Sequence, residues 1–136
     1  GGDKMNKFQP WGLLLGRLLL AYIFVLQGYG KIAGFAGTAK YMASKGMPLI
    51  EPLLVGTIII ELVGGLMLAV GWKARWGAWA LFFFTLLATL IFHAYWTVPA
   101  DQAYGQMIQF QKNLAIMGGM LYIALMGPGR LSLDKA

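Results

Sequence analysis

The stretch LIEPLLVGTIIIELVGGLMLAV, residues 49–70, decides the fold. Its only charged side chains are Glu51, at its start, and Glu61, near its middle. As an α-helix it would measure about 33 Å, enough to cross a bilayer's hydrocarbon layer of roughly 30 Å. Three more apolar runs flank it: Trp11 to about Tyr29, Trp76 to Trp96, and about Phe110 to Met126. Aromatic residues cluster at the run ends (Trp11, Trp72, Trp76, Tyr95 and Trp96), where an interfacial belt belongs. The reading is an all-α integral membrane four-helix bundle, one domain over residues 5–136. Gly1 to Lys4, ahead of Met5, read as added sequence.

Composition agrees. Only 12% of the 136 residues are charged, about half of what a soluble domain carries, so most of the surface must face something other than water. The net charge of +6 does not point to nucleic acid, because the basic residues sit at the ends of apolar runs rather than in a patch with interleaved aromatics. The absence of cysteine excludes disulfides, thiol redox chemistry and thiolate-held clusters. A single histidine excludes bis-histidine haem within the chain and argues against a metal centre. Ser44 and Ser132 are the only serines and carry no elbow motif, which argues against a hydrolase.

The links between runs differ. Residues 71–75 form a tight basic turn. The segment Lys31 to Pro48 mixes Phe35, Tyr41 and Met42 with Lys40, Ser44 and Lys45, and reads as a short amphipathic helix on the membrane surface, ended by Gly46 and Pro48. The segment 97–109 is polar, and Pro99 makes its start a loop. Counting Lys and Arg puts Lys4, Lys7, Lys73, Arg75, Arg130 and Lys135 on the side of the termini, against Lys31, Lys40 and Lys45 opposite. That bias places both termini in the cytoplasm of a plasma membrane.

Ionisable residues inside the spans are costly and so carry the functional argument. Glu61 is too deep to reach the interface, and Thr57 and Gly65 share its face. Measured from the run ends, Arg17 lies close enough for an Arg17–Glu61 ion pair that would neutralise both charges and clamp two helices together; Arg17 alone could instead snorkel to the interface. Thr85, Thr89 and His93 recur at every fourth position and form one stripe. The run from Leu114 to Met126 is too short to span, so Lys112 and Asn113 must be drawn toward the membrane; a lysine in a helix's first turn would oppose its dipole and want an anionic partner, with Glu51 in reach. Glu51 beside Pro52 is also simply favourable at a helix start. Gln27, Lys31, Glu51, His93, Lys112 and Asn113, with Trp96 at the rim, fall near the outer ends of their helices and define a candidate pocket; the lysines alone are also explained by snorkelling. Gly12 and Gly16, Gly64 and Gly65, and Gly118 and Gly119 would permit close helix contact, within the bundle or in a homo-oligomer.

GRLLLAYIFVLQGYGK (residues 16–31), KGMP (45–48), ELVGGLMLAVGW (61–72), ATLIFHAYW (88–96), KNLAIMGG (112–119) and GPGRLSLD (127–134) together resemble the DoxX family, in order and across nearly the whole chain. The resemblance implies a four-helix bacterial inner-membrane protein. It also implies a link to redox stress, to quinone and catechol resistance, or, through the related DoxD proteins, to subunits of thiosulfate:quinone oxidoreductases. The wider group includes eukaryotic Surf-type cargo receptors. The matching positions are Arg17, Gly28, Lys31, Glu61, Gly64, Gly65, His93, Lys112 and Asn113.

The leading expectation is a quinone-linked membrane component. Gln27, Lys31, Lys112 and Asn113 would bind the head of a quinone or similar amphiphile, while His93 and Glu61 would move protons. With no electron carrier of its own, it would need a partner redox subunit to act in an oxidoreductase. The alternatives are a non-catalytic module that binds lipids or client proteins, and a small proton-coupled exporter built around Glu61.

Overall fold

A computed structural model describes residues 2–134, with side chains from Lys7 onward; the reading of Gly1 to Lys4 as added sequence lies outside the described side chains. The helices are α1 (Gly2–Ala33), α2 (Phe35–Ser44), α3 (Ile50–Val70), α4 (Ala74–Phe92) and α5 (Ala100–Met126), with a 3-10 turn at Tyr95–Thr97. The segments Lys7–Ala33, Ile50–Val70 and Ala74–Thr97 are long and apolar enough to cross a membrane. The fourth long helix, α5, has 27 residues and a polar first half. Trp76, Tyr122 and Met126 are among many large apolar side chains that stay exposed on the outside of the bundle. An apolar exterior of this extent requires lipid around it.

Two elements differ from the sequence reading. The fourth helix begins at Ala100, just after Pro99, so only a few residues around Pro99 are loop, and residues 100–109 are helical rather than connecting chain. Lys112 therefore lies mid-helix, and the expected conflict with the helix dipole does not arise. The first helix also runs past both ends of its apolar run, with Pro10 inside it. The segment after it does form a short helix, α2, bounded by Gly34 and by Gly46 in the left-handed region.

α1 lies along α3, α3 along α4, and α4 along α5, while α5 returns to α1 where Gly119 faces Leu20. The closest approach of α1 and α3 depends on glycine. A Cβ on Gly65 would lie 2.8 Å from Val25, and one on Gly28 would lie 2.8 Å from Leu62. Gly12, Gly16 and Gly118, read as contact residues, have open space instead. The buried core (Ala21, Phe24, Leu68, Ala74, Ala78, Leu81, Met120 and Ala124) fills the half of the bundle nearer the termini.

That terminal end is locked by the chain that follows α5. Arg17, 3% exposed, donates to the carbonyls of Pro128 and Leu131 at 2.7 Å each, and more weakly to Ala69 at 3.4 Å. The tail then pairs with the α3–α4 turn, Leu133 N–H donating to Val70 O and Asp134 N–H to Gly71 O. The Asp134 carboxylate accepts from the backbone N–H groups of Lys73 and Ala74 at the start of α4, at 2.6 and 2.8 Å. It thereby satisfies orphan donors of that helix and steadies Lys73, which holds the left-handed conformation at φ 46°. Arg75 donates to Leu125 O near the end of α5.

We predict that Arg17→Ala strands these carbonyls and lowers stability by about 3 kcal/mol or more, since hydrogen bonds to a charged group contribute roughly 1.5–3 kcal/mol each. Arg17→Lys should not restore it, because an ammonium cannot reproduce the planar fork. Thermal unfolding in detergent measures both; an unchanged midpoint for Arg17→Ala would rule out the clamp.

Candidate functional site

Glu61 pairs with Lys31, not with Arg17. Lys31 Nζ lies 2.7 Å from a Glu61 carboxylate oxygen, with the side chains 25% and 1% exposed. The expected Arg17–Glu61 pair fails because the two residues lie at different depths. A Cβ on Gly71 would come within 3.3 Å of the Arg17 guanidinium carbon, and one on Gly28 within 3.3 Å of Glu61 Cβ. Glu61 is thus level with Gly28, eleven residues along α1 from Arg17, or about 16 Å. Counting each residue from the end of its own apolar run hid this, because α1 extends beyond its run at the terminal end. Lys31, in the last turn of α1, reaches down the helix to the carboxylate.

The ion pair opens onto a cavity of about 450 Å³ in the half of the bundle far from the termini, a size that ordinary small-molecule sites share. Its wall is mainly apolar, with Ile23, Phe24, Leu54, Phe84, Ala88 and Ile116 among the lining residues. Its polar members come from every helix: Gln27 and Lys31 from α1, Thr38 and Tyr41 from α2, Thr57 and Glu61 from α3, Thr85 and His93 from the α4 region, and Gln109, Lys112 and Asn113 from α5. α2 covers this end; Met42 is buried, and Tyr41 stacks on Phe92 with ring centroids 5.5 Å apart.

Polar groups on the α4–α5 side are tied together. Asn113 donates to the Thr89 hydroxyl at 3.0 Å, and Thr89 donates to Thr85 O. His93, at the C-cap of α4, shares a 2.7 Å hydrogen bond between Nδ1 and Gln106 Oε1. Thr85 is 4% exposed, lines the cavity, and has no partner for its hydroxyl among the described residues. Lys112 is half-buried, and among the described residues no carboxylate pairs with it. With Lys31 and Glu61 neutralising each other, Lys112 leaves the cavity wall with a surplus of positive charge.

Of the residues singled out by sequence, Gln27, Lys31, Glu61, His93, Lys112 and Asn113 all line this one cavity. Glu51 and Trp96 do not: Glu51 is exposed in the first turn of α3, and Trp96 packs edge-on against Tyr95 and Phe110. Arg17 belongs to the terminal clamp. The sequence reading missed Gln106 and Gln109, which fell in the presumed connection. Gln102, Gln106, Gln109 and Asn113 recur at four- and three-residue spacing, a polar stripe on one helical face. No group of three or more His, Cys, Asp or Glu able to hold a metal occurs among the described residues.

Helices of this length, sheathed in apolar side chains around a charged interior, define a polytopic membrane protein. The DoxX family model matches residues 12–94, and the chain belongs to the DoxX family. It is 35% identical to the inner membrane protein YphA of Escherichia coli, over 93% of this chain and 91% of that protein. It is 37% identical to the inner membrane protein YqjF of the same organism, over 96% and 95%. A Surfeit locus protein 4 homolog of Schizosaccharomyces pombe is 30% identical over 57% of this chain and 26% of its own length. No solved structure matches.

Because Glu61 has almost no access to solvent, we predict that Lys31→Met destabilises more than Glu61→Gln. The first leaves a buried carboxylate alone, a loss of about 3–5 kcal/mol; the second leaves a lysine that can turn toward the interface. The double variant should be more stable than the sum of the two losses implies. Strict additivity in unfolding measurements would show that the pair contributes no coupling.

Proposed function

We propose that this chain is a quinone-linked component of the inner membrane, with its termini in the cytoplasm and the cavity toward the outer face. The cavity would hold the head of an isoprenoid quinone or a similar amphiphile for a partner redox subunit. One observation carries the reading: residues from all the helices converge on an apolar-walled cavity that presents amide, hydroxyl and ammonium donors. A quinone head is an apolar ring with carbonyl acceptors, so a wall of this kind with Lys112, Gln109 and Gln27 on it matches it chemically. The unpartnered Thr85 hydroxyl offers one more contact. His93, held by Gln106, and Glu61, held by Lys31, are the groups suited to exchanging protons with a bound head. The electrons would come from the partner, since the chain has no cysteine and one histidine.

Binding of a ubiquinone to the chain in lipid nanodiscs, followed by equilibrium titration, tests this. Saturation at one quinone per chain is expected. Lys112→Ala and Asn113→Leu should each weaken binding about ten-fold, equivalent to about 1.4 kcal/mol. Failure of the native chain to saturate would reject quinone as the ligand. Binding that saturates but ignores both substitutions would move the site elsewhere. If quinone binds and His93→Ala leaves quinone-dependent activity of the membranes intact, the chain is a binding module without a part in proton transfer.

A further inference from the structure

The contact between α3 and α4 changes character along its length. Near the terminal end it is tight: a Cβ on Gly64 would lie 3.0 Å from Leu81, and one on Gly77 would lie 3.2 Å from Met67. Leu81 is fully buried there. The facing stripes continue through Ile60 and Gly56 to Leu53 on α3, and through Ala88 to Ile91 on α4, following the three- and four-residue steps of a helix face. Were the helices still in contact, these residues would be as buried as Gly64 and Leu81. Instead Leu53, Ile60 and Ile91 are 42%, 38% and 44% exposed, while all three also line the cavity. A residue that lines a cavity and faces the outside is the rim of an opening. Gly56, also on the cavity wall, would meet nothing within 4 Å if given a Cβ. The helices part, and the gap between them runs from Ile60 near mid-span to Leu53 and Ile91 near the far ends of the two helices.

We propose that the parted halves of α3 and α4 form a lateral opening from the lipid into the cavity, and that the ligand is a long-tailed membrane amphiphile whose tail lies in this gap. The inference rests on the cavity being a ligand site, as in the preceding reading, and it deepens that reading by excluding small water-soluble quinones and catechols as the principal ligands. The rim is apolar, so it suits an isoprenoid or acyl chain and offers the carbonyls of a quinone head nothing to bind. The charged and donor groups lie inward, on Lys31, Glu61 and Lys112, so the head goes in first and the tail trails into the bilayer. On the neighbouring seam α1 and α3 are closed by the Gly28 and Gly65 contacts, and α2 forms a roof. The gap between α3 and α4 therefore gives a tail a route that keeps it in lipid.

The test uses the full chain in nanodiscs, with Gly56→Trp to plug the gap and Ile60→Ala to widen it. The probes are a ubiquinone, the same benzoquinone ring without its tail, and a phospholipid with a photoactivatable diazirine at the start of its acyl chain, next to the headgroup. In Gly56→Trp the tailed quinone should lose about ten-fold more affinity than the bare ring, and in Ile60→Ala it should still bind more tightly than the bare ring. The diazirine lipid should label Thr57 and Thr85, which face inward, in the native chain and in Ile60→Ala, and stop doing so in Gly56→Trp. Equal losses for tailed and bare quinone, or labelling of Thr57 and Thr85 that survives the plug, would overturn the lateral route. Should the native chain bind neither quinone, the quinone reading falls, and the lipid labelling alone decides the opening. A Gly56→Trp chain with an altered unfolding midpoint is replaced by Gly56→Leu, judged by the same ratios.

Discussion

A carboxylate buried in a bilayer needs a cation, and the arrangement of the far half of this bundle follows from how Glu61 meets that need. Its partner, Lys31, stands in the last turn of α1, so the pair sets the axial register between α1 and α3. It also requires the two backbones to approach closely beside it, which Gly28 and Gly65 allow. Replacing such a pair by apolar residues is often no worse for stability, and sometimes better. The pair stands at the edge of the cavity rather than inside the packed core. Because the pair is internally neutral, the remaining positive charge on the wall comes from Lys112.

The molecule thus divides into two halves of different character. Near the termini, Arg17, Asp134 and Arg75 tie the tail, the α3–α4 turn and the end of α5 together, and apolar side chains fill the interior. In the far half the interior is hollow, lined with polar groups from each helix, and roofed by α2. The two sets of conspicuous residues in the sequence, the arginine and tail motifs on one hand and the lysine, glutamate and histidine on the other, separate into these halves.

Much of this was legible in the sequence, and the failures have physical reasons. Apolar length announced the spans, because a bilayer demands it regardless of tertiary detail. The polar residues that converge were visible because an ionisable group at membrane depth has few explanations. The Arg17–Glu61 pairing failed because apolar run ends are not helix ends: α1 continues beyond its run, and relative depth depends on where two helices touch. The start of α5 was lost because glutamine-rich helix and polar loop look alike by hydropathy, although the four- and three-residue spacing of Gln102, Gln106, Gln109 and Asn113 separates them. Which glycines face a neighbour was not readable, since Gly12 and Gly16 have the same spacing as any contact motif yet face open space.

The tail that pairs with Arg17 has a bearing on how the molecule is assembled. The carbonyls of Pro128 and Leu131 lie 111 and 114 residues after the guanidinium they satisfy. During synthesis the first helix therefore enters the membrane with a charge whose partners have not yet been made. Until they emerge, Arg17 must stay at the headgroups or draw water inward. Closure of the bundle's base is thereby coupled to translation of the tail that follows α5.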